Sequence, residues 1–170
     1  YGVELRPTLE KMFDQIGGLG RIVAGKTVAI KINLTGAPSY RLGHDPAELA
    51  HWTHPAVIGH TIDLMSRAGA RRIRILEGGW NPADLLNAAP RVEFENTNYL
   101  GNAKQYARMM VPGRGHMFPA FDLNHSYQDC DVFVSIAKIK EHATAGITLS
   151  MKNCFGITPC TIYGQGSPKD

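Results

Sequence analysis

The chain has 170 residues, of which 44% are hydrophobic and 19% charged, with a formal net charge of +3. A chain of this length buries about two-thirds of its unfolded surface and needs neither disulfides nor metal to fold. No run of five or more basic residues occurs, which argues against nucleic acid as a partner because such binders carry a stripe of lysine and arginine. No apolar stretch is long enough to cross a bilayer, so the sequence predicts no membrane insertion.

Neither the ends of the chain nor its cysteines determine the cellular compartment of the protein. The chain begins at Tyr1 instead of a methionine, and residues 164–168 are typical of a loop. We therefore expect residues 1–170 to form a single α/β domain that is truncated at one or both ends, in a protein that is cytoplasmic or exported. Cys130, Cys154 and Cys160 contain no C-x-x-C pair, so they predict neither a disulfide framework nor a self-contained iron–sulfur site.

The first half of the chain predicts alternating helices and strands. Apolar residues at helical spacing cover residues 8–16, and a β-branched-rich strand is expected over 27–34. A second helix is predicted to begin with Thr53 as its N-cap and to end at Gly69. A second strand is expected over 72–77.

The second half is less regular. Short helices are expected near 84–88 and 103–109, and a third strand over 132–137. Residues 143–152 alternate between apolar and polar, which favours a half-buried strand, although 150–155 are equally compatible with the start of a helix. Strands alternating with helical crossovers predict an α/β fold: a mostly parallel, Rossmann-like sheet with helices on both faces.

Polar side chains lie at or just after the ends of the three predicted strands. Asn33 lies near the end of the first, Glu77 ends the second, and Lys138, Lys140 and His142 follow the third. Open parallel sheets bind ligands beyond the carboxyl ends of their strands. We therefore expect a site there for a small anionic molecule, held by the lysines. The alternative for each lysine is an ordinary solvated strand end.

A row of polar residues extends this site along the chain. Thr144, Thr148 and Lys152 are four residues apart, and such residues share a face on a helix and on a strand alike. Two hydroxyls and an ammonium suit a carboxylate or a phosphate. We interpret Lys152 and His142 as candidate catalytic residues, with His142 transferring a proton at neutral pH, and the two threonines as ligand-binding residues.

A histidine-containing loop joins the first strand to the second helix. His44, Asp45 and His51 are ligand types that transition metals use, but their spacing matches no zinc motif, and we assign no metal ligands. His54 lies in the first turn of the helix, where its role is either structural or that of facing the anion beside the helix N-terminus. The sequence around Glu77 lacks the G-x-G-x-x-G dinucleotide fingerprint.

Several motifs together resemble the DUF362 family, a domain of unknown function. These are AIKIN at 29–33, THP at 53–55, DVFVS at 131–135 and TLSMKNCFG at 148–156. Members of the family are often iron–sulfur-associated and often carry a twin-arginine export signal. The resemblance covers nearly the whole chain, and its most specific part is the lysine–histidine segment with K-N-x-F-G. The polar site that it implies comprises Lys31, Asn33, His54, Lys138, Lys140, His142, Lys152 and Asn153.

The resemblance does not identify a reaction that the protein catalyses. Some members add a ferredoxin-like cysteine module, but nothing of that module is present in this sequence, so no cofactor is assigned. Three functions remain compatible with the residues. The protein is an enzyme acting on a small anion, a metal- or iron–sulfur-associated redox protein, or a non-catalytic anion-binding module.

Overall fold

The computed structural model describes residues 1–35, 43–78, 92–96 and 106–164, with only the backbone of 92–96, 160 and 161. The helices in these ranges are α1 (Leu5–Gln15), α2 (Gly20–Val23), α3 (Ala47–Ala50), α4 (Pro55–Arg67), α5 (Ser150–Phe155) and α6 (Cys160–Tyr163). The strands are β1 (Thr27–Lys31), β2 (Arg72–Glu77), β3 (Val92–Asn96), β4 (Tyr106–Met110), β5 (Ala120–Asn124), β6 (Val132–Ser135), β7 (Lys140–His142) and β8 (Gly146–Thr148). None of the described helices has the length and apolar character needed to cross a membrane.

A four-stranded parallel sheet with the order β3-β2-β1-β6 forms the centre of the fold. Lys31, the last residue of β1, lies opposite Leu76 of β2 and Ser135 of β6. The chain builds outward from β1 to β3 and then returns to place β6 on the other side of β1. The predicted α/β fold with a parallel sheet is therefore confirmed. The direction in which successive strands are added to the sheet therefore reverses between β1 and β6. Open α/β sheets bind ligands at such topological switch points.

Helices α1 and α4 lie on one face of this sheet. Ile30 of β1 and Ile75 of β2 are fully buried there and belong to one core cluster with Ile62 of α4. Leu9 and Phe13 of α1 pack against the same cluster. Each fully buried isoleucine contributes about 1.5–3 kcal/mol to folding. This layer packs β1 and β2 against the helices and so positions the residues at their carboxyl ends.

The opposite face is covered differently. Ala29 of β1 and Leu76 of β2 pack against Tyr127, and against Met109 and Leu123 of the antiparallel β4–β5 hairpin. The predicted helices on both faces are therefore not confirmed in the described ranges, where this face receives a hairpin.

The helix predicted near residues 103–109 is wrong over its described part, which belongs to strand β4. Alanine, arginine and methionine favour helices in isolation. In this segment the pairing of β4 with β5 overrides that preference. The pairing includes an ion pair between Arg108 and Asp122 at 3.6 Å. The short helix predicted near 84–88 lies outside the described residues.

Three predicted boundaries need correction: the start of helix α4 and the ends of β1 and β6. The N-cap of α4 is His54, whose Nδ1 accepts a hydrogen bond from the backbone N–H of Ala56 at 3.1 Å. The predicted cap, Thr53, instead uses its hydroxyl to join two strand ends. Strands β1 and β6 end at Lys31 and Ser135, earlier than predicted.

The segment after β6 is not one continuous strand. Residues 143–145 form a turn, β8 follows, and α5 begins at Ser150. Strands β7 and β8 pair as a hairpin, with His142 opposite Gly146, whose φ of 72° is a left-handed conformation that favours glycine. The alternating pattern thus reflects a hairpin followed by a helix. The prediction that Thr144, Thr148 and Lys152 share one face assumed a single continuous helix or strand, and that assumption is wrong.

Candidate functional site

A cavity of about 200 Å³ lies beyond the carboxyl ends of β1 and β2, against the β7–β8 hairpin and α5. Its lining includes eight of the eleven residues that the sequence predicts for the site. These are Lys31, Asn33, Glu77, Lys140, His142, Thr148, Lys152 and Asn153.

A buried ion pair lies at the base of this cavity. Lys31 Nζ is 2.8 Å from Glu77 Oε1, and the two side chains are 2% and 6% exposed. The Lys31 ammonium also donates to the Ile32 carbonyl and, at 3.3 Å, to Asn153 Oδ1. The second carboxylate oxygen of Glu77 accepts a hydrogen bond from the Leu34 N–H at 2.8 Å. The pair is therefore well hydrogen-bonded, as buried charges need to be.

Two asparagine amides connect this ion pair to the upper part of the cavity. Asn153 Nδ2 donates to the Lys31 carbonyl at 3.2 Å and to Ser135 Oγ at 2.9 Å. Asn33 Nδ2 donates to Asn153 Oδ1 at 3.4 Å, and Asn33 Oδ1 accepts from Lys140 Nζ at 2.6 Å. These contacts determine the orientation of both amides, because each oxygen faces a donor. The network links β1, β6, β7 and α5.

Thr53 holds the ends of β1 and β6 together beside this network. Its hydroxyl accepts a hydrogen bond from the Asn33 N–H at 2.9 Å and donates to the Ile136 carbonyl at 2.9 Å. The Thr53 N–H donates to the Asn33 carbonyl at 2.8 Å. The T-H-P motif therefore positions Asn33 as well as beginning a helix.

Lys140 extends into the cavity from β7. Its ammonium donates to Asn33 Oδ1 at 2.6 Å and to the His51 carbonyl at 2.7 Å. Both acceptors are neutral, and one of the three ammonium hydrogens is left over. Burial lowers the pKa of Lys140; the Glu77 carboxylate opposes this shift, and nearby lysines add to it. An anion in the cavity would compensate this half-buried charge.

His142, at the end of β7, is held by the turn that follows it. Its Nδ1 accepts hydrogen bonds from the backbone N–H groups of Thr144 at 3.2 Å and Ala145 at 3.1 Å. The Thr144 hydroxyl lies 3.2 Å from the same nitrogen. Thr144 is exposed and does not line the cavity. The structure thus places Thr144 as a neighbour of His142 and not beside Thr148.

Thr148 and Lys152 complete the polar lining. Thr148 is 2% exposed, and its hydroxyl is buried without a hydrogen-bond partner in the described part of the chain. The Lys152 ammonium lies 4.3 Å from the centroid of the Phe155 ring, in a cation–π contact. Among the described residues, neither Lys140 nor Lys152 forms a salt bridge with a carboxylate.

Two predicted site residues lie elsewhere. Lys138 Nζ donates to the Leu49 carbonyl at 2.8 Å and to the Tyr1 hydroxyl at 3.3 Å. The His54 ring stacks on the Tyr1 ring with centroids 3.7 Å apart. Burial lowers the pKa of His54. Both side chains pack around Tyr1, and neither lines the cavity.

Several residues near the cavity are absent from the predicted site, among them Thr35 in its lining. Ser135 ends β6 and anchors Asn153, but the predicted strand extended past it to residue 137, so the sequence did not place it at a strand end. Phe155 and Gly156 line the cavity and belong to the K-N-x-F-G motif. A Cβ at Gly156 would lie 3.3 Å from both Cε and Nζ of Lys31. A glycine there allows the end of α5 to approach the buried ammonium closely.

The described residues supply no complete ligand set for a metal or a cluster. Within those ranges no group of three or more His, Cys, Asp or Glu side chains is placed to hold a metal ion. Cys130 and Cys154 are free thiols, and burial raises the pKa of Cys130.

The fold and the cavity define a class of protein: an α/β domain whose parallel sheet carries a lysine-lined cavity at its carboxyl edge. The chain belongs to the family described as a domain of unknown function (DUF362), whose family model matches residues 28–167. The resemblance of its motifs to that family is therefore confirmed.

One curated relative is the thylakoid-associated protein sll1697 of Synechocystis sp.. This chain is 28% identical to it over 163 residues, which cover 91% of this chain and 46% of the relative. The chain thus spans less than half the length of that relative. No solved structure matches the chain.

Proposed function

We propose that the cavity binds a small anion through Lys140 and Lys152. The main observation that supports this proposal is the excess of positive charge among the side chains that line the cavity. Three lysines line the cavity with one carboxylate among the described residues, and that carboxylate, Glu77, is paired with Lys31. Within the described ranges, the ammonium groups of Lys140 and Lys152 have no negative partner. Charge-assisted hydrogen bonds to carboxylate or phosphate oxygens are stronger than those between neutral groups.

The unpaired hydroxyl of Thr148 supports the same proposal. A buried hydroxyl without a partner costs about 1–3 kcal/mol, and a bound oxyanion would accept its hydrogen bond. The volume of about 200 Å³ is below the range of about 300–1,000 Å³ that holds drug-sized ligands. The ligand class is therefore a phosphate, a sulfate or a short carboxylate.

A second candidate function is catalysis on that anion by His142 and Lys152. The observation that favours it is the presence of an imidazole in the same lining as the two ammonium groups. An imidazole N–H that donates a hydrogen bond to a substrate oxygen stabilises negative charge that develops there during a reaction. An NMR assay with small carboxylates would then show turnover by the wild type. His142→Ala would abolish this turnover and leave binding of the carboxylate intact. Loss of binding together with turnover would leave only a binding role for His142.

Thermal unfolding with a panel of anions tests the binding proposal. Phosphate, sulfate or a short carboxylate should raise the Tm of the wild type, since a ligand at 100 times its Kd stabilises by about 2.7 kcal/mol. For a chain of this size that is a shift of several degrees, at about 2–4 °C per kcal/mol. Lys152→Ala should reduce the shift strongly.

Lys138→Ala is the matched control. It removes the same charge from the same edge of the sheet, but from a side chain outside the cavity. The shift in this variant should equal that of the wild type. Identical responses of the wild type and Lys152→Ala across the whole panel would refute the proposal.

A further inference from the structure

The turn after β7 dictates which nitrogen of His142 carries a proton. The backbone N–H groups of Thr144 and Ala145 both point at Nδ1, at 3.2 and 3.1 Å. A backbone N–H is only a donor, so Nδ1 must present its lone pair. A proton on Nδ1 would face two donor hydrogens and would remove both hydrogen bonds. Of the two neutral tautomers, only the one with its proton on Nε2 keeps both hydrogen bonds.

The neutral ring therefore carries its proton on Nε2. Nδ1 is engaged within the turn, which leaves Nε2 as the ring nitrogen available to a ligand in the cavity that His142 lines. A general base needs a lone pair on the nitrogen that faces its substrate. In this geometry Nε2 offers a hydrogen bond instead.

We propose that His142 acts as a neutral Nε2–H donor to the bound anion, and that the cavity selects dianions. This inference rests on the proposed anion-binding function. A neutral His142 adds no charge, so the described lining keeps two uncompensated positive charges, on Lys140 and Lys152. A dianion matches them, while a monoanion leaves one ammonium unpaired in a half-buried position.

The hydrogen-bonding groups lead to the same ligand class. The two ammonium groups and Nε2–H are donors only, and the Thr148 hydroxyl has no acceptor for its proton in the part of the chain that the structure describes. A ligand that satisfies four donors must present several acceptor oxygens. Sulfate, the doubly ionised phosphate and short dicarboxylates do so, whereas acetate presents two oxygens and one charge.

NMR of the ligand-free protein tests the tautomer directly. Long-range ¹H–¹⁵N correlations of histidine-labelled protein distinguish a protonated from an unprotonated ring nitrogen. The His142 signals among the seven histidines are those that disappear in His142→Asn. The expected result at neutral pH is a protonated Nε2 and an unprotonated Nδ1. A protonated Nδ1, in either the neutral ring or the imidazolium, would overturn the inference.

Calorimetry with sulfate and acetate tests the consequence for binding. In His142→Asn the shorter side chain still offers an oxygen to the turn N–H groups, as asparagine does in turns, but it lacks the distal donor. Sulfate affinity should fall about tenfold, the effect of one hydrogen bond to a charged group. Wild-type protein should bind acetate more weakly than sulfate by at least a similar factor.

The outcomes separate this inference from the function on which it rests. If the wild type binds no anion of the panel, the proposed function fails, and the inference fails with it. If the wild type binds sulfate but His142→Asn binds it equally well, or acetate binds as tightly as sulfate, the anion site stands and the inference is overturned.

Discussion

The base of the cavity, with Lys31 and Glu77, differs from its wall, with Lys140 and Lys152, in whether the ammonium groups are paired with a carboxylate. In the base, the ammonium of Lys31 is buried, paired with Glu77 and hydrogen-bonded to Asn153. In the wall, the ammonium groups of Lys140 and Lys152 have no carboxylate partner among the described residues. The base is built from the ends of central strands, and the wall from a hairpin and a short helix. We therefore expect the base to contribute mainly to stability, and we propose that the wall binds the ligand.

The largest expected effect comes from breaking the base. Lys31→Met should lower the free energy of unfolding by about 3–5 kcal/mol, because it leaves the Glu77 carboxylate buried without its partner. Urea denaturation measures this change. The double variant Lys31→Met/Glu77→Leu should recover most of the loss, since it removes both charges. A loss below about 1 kcal/mol in the single variant would contradict the role given to the base.

Breaking the wall should change binding and leave folding almost intact. Lys140→Gln should weaken anion binding about 10- to 100-fold, since a hydrogen bond to a charged group contributes about 1.5–3 kcal/mol. The free energy of unfolding without ligand should change by no more than about 1 kcal/mol. Lys138→Gln, which changes a lysine outside the cavity, should leave the affinity unchanged. Equal losses in the two variants would indicate long-range electrostatics and no site.

Thr148→Val should produce a smaller effect with opposite signs for folding and binding. Valine has nearly the same shape and suits a strand, and it removes a hydroxyl that is buried without a partner. The ligand-free protein should be unchanged or more stable by about 1 kcal/mol. Anion affinity should nevertheless fall several-fold. A clear loss of stability with unchanged affinity would mean that the hydroxyl has a structural partner and no ligand role.

The smallest expected effect is a pH dependence from Lys140. Burial lowers its pKa in the folded protein, so at alkaline pH the unfolded chain holds this proton more tightly. Its contribution to stability should rise as pH increases from the lowered pKa toward the usual lysine value of about 10.4. The difference in unfolding free energy between the wild type and Lys140→Gln, measured across this range, isolates the effect. A pH-independent difference would contradict the assigned cause.

Periodicity predicts two of the residues in the base of the cavity. Parallel strands predicted from periodicity end at one edge of a sheet, which brings Asn33 and Glu77 together. Lys31 lies inside the predicted strand over 27–34, and only the family resemblance assigned it to the site. The wall follows from the sequence only in part. Whether Thr144 joins Thr148 depends on the φ of 72° at Gly146, which closes a hairpin. Period-two alternation does not distinguish a long strand from such a hairpin.

Lys138 and His54 show a second limit of sequence reasoning. Both residues stand at the predicted edge of the sheet, yet both pack around Tyr1. That contact joins residues far apart in sequence, and no local pattern reports it. The family resemblance grouped these two residues with the cavity residues because it describes which residues recur, without their orientation.

The most direct test of the central claim is calorimetric titration of sulfate into the wild type and the double variant Lys140→Gln/Lys152→Ala at low ionic strength. We expect saturable one-site binding to the wild type, and loss of detectable binding in a double variant that remains folded by circular dichroism. Saturable binding that persists in the folded double variant, or its absence in the wild type, would contradict an anion site in this cavity.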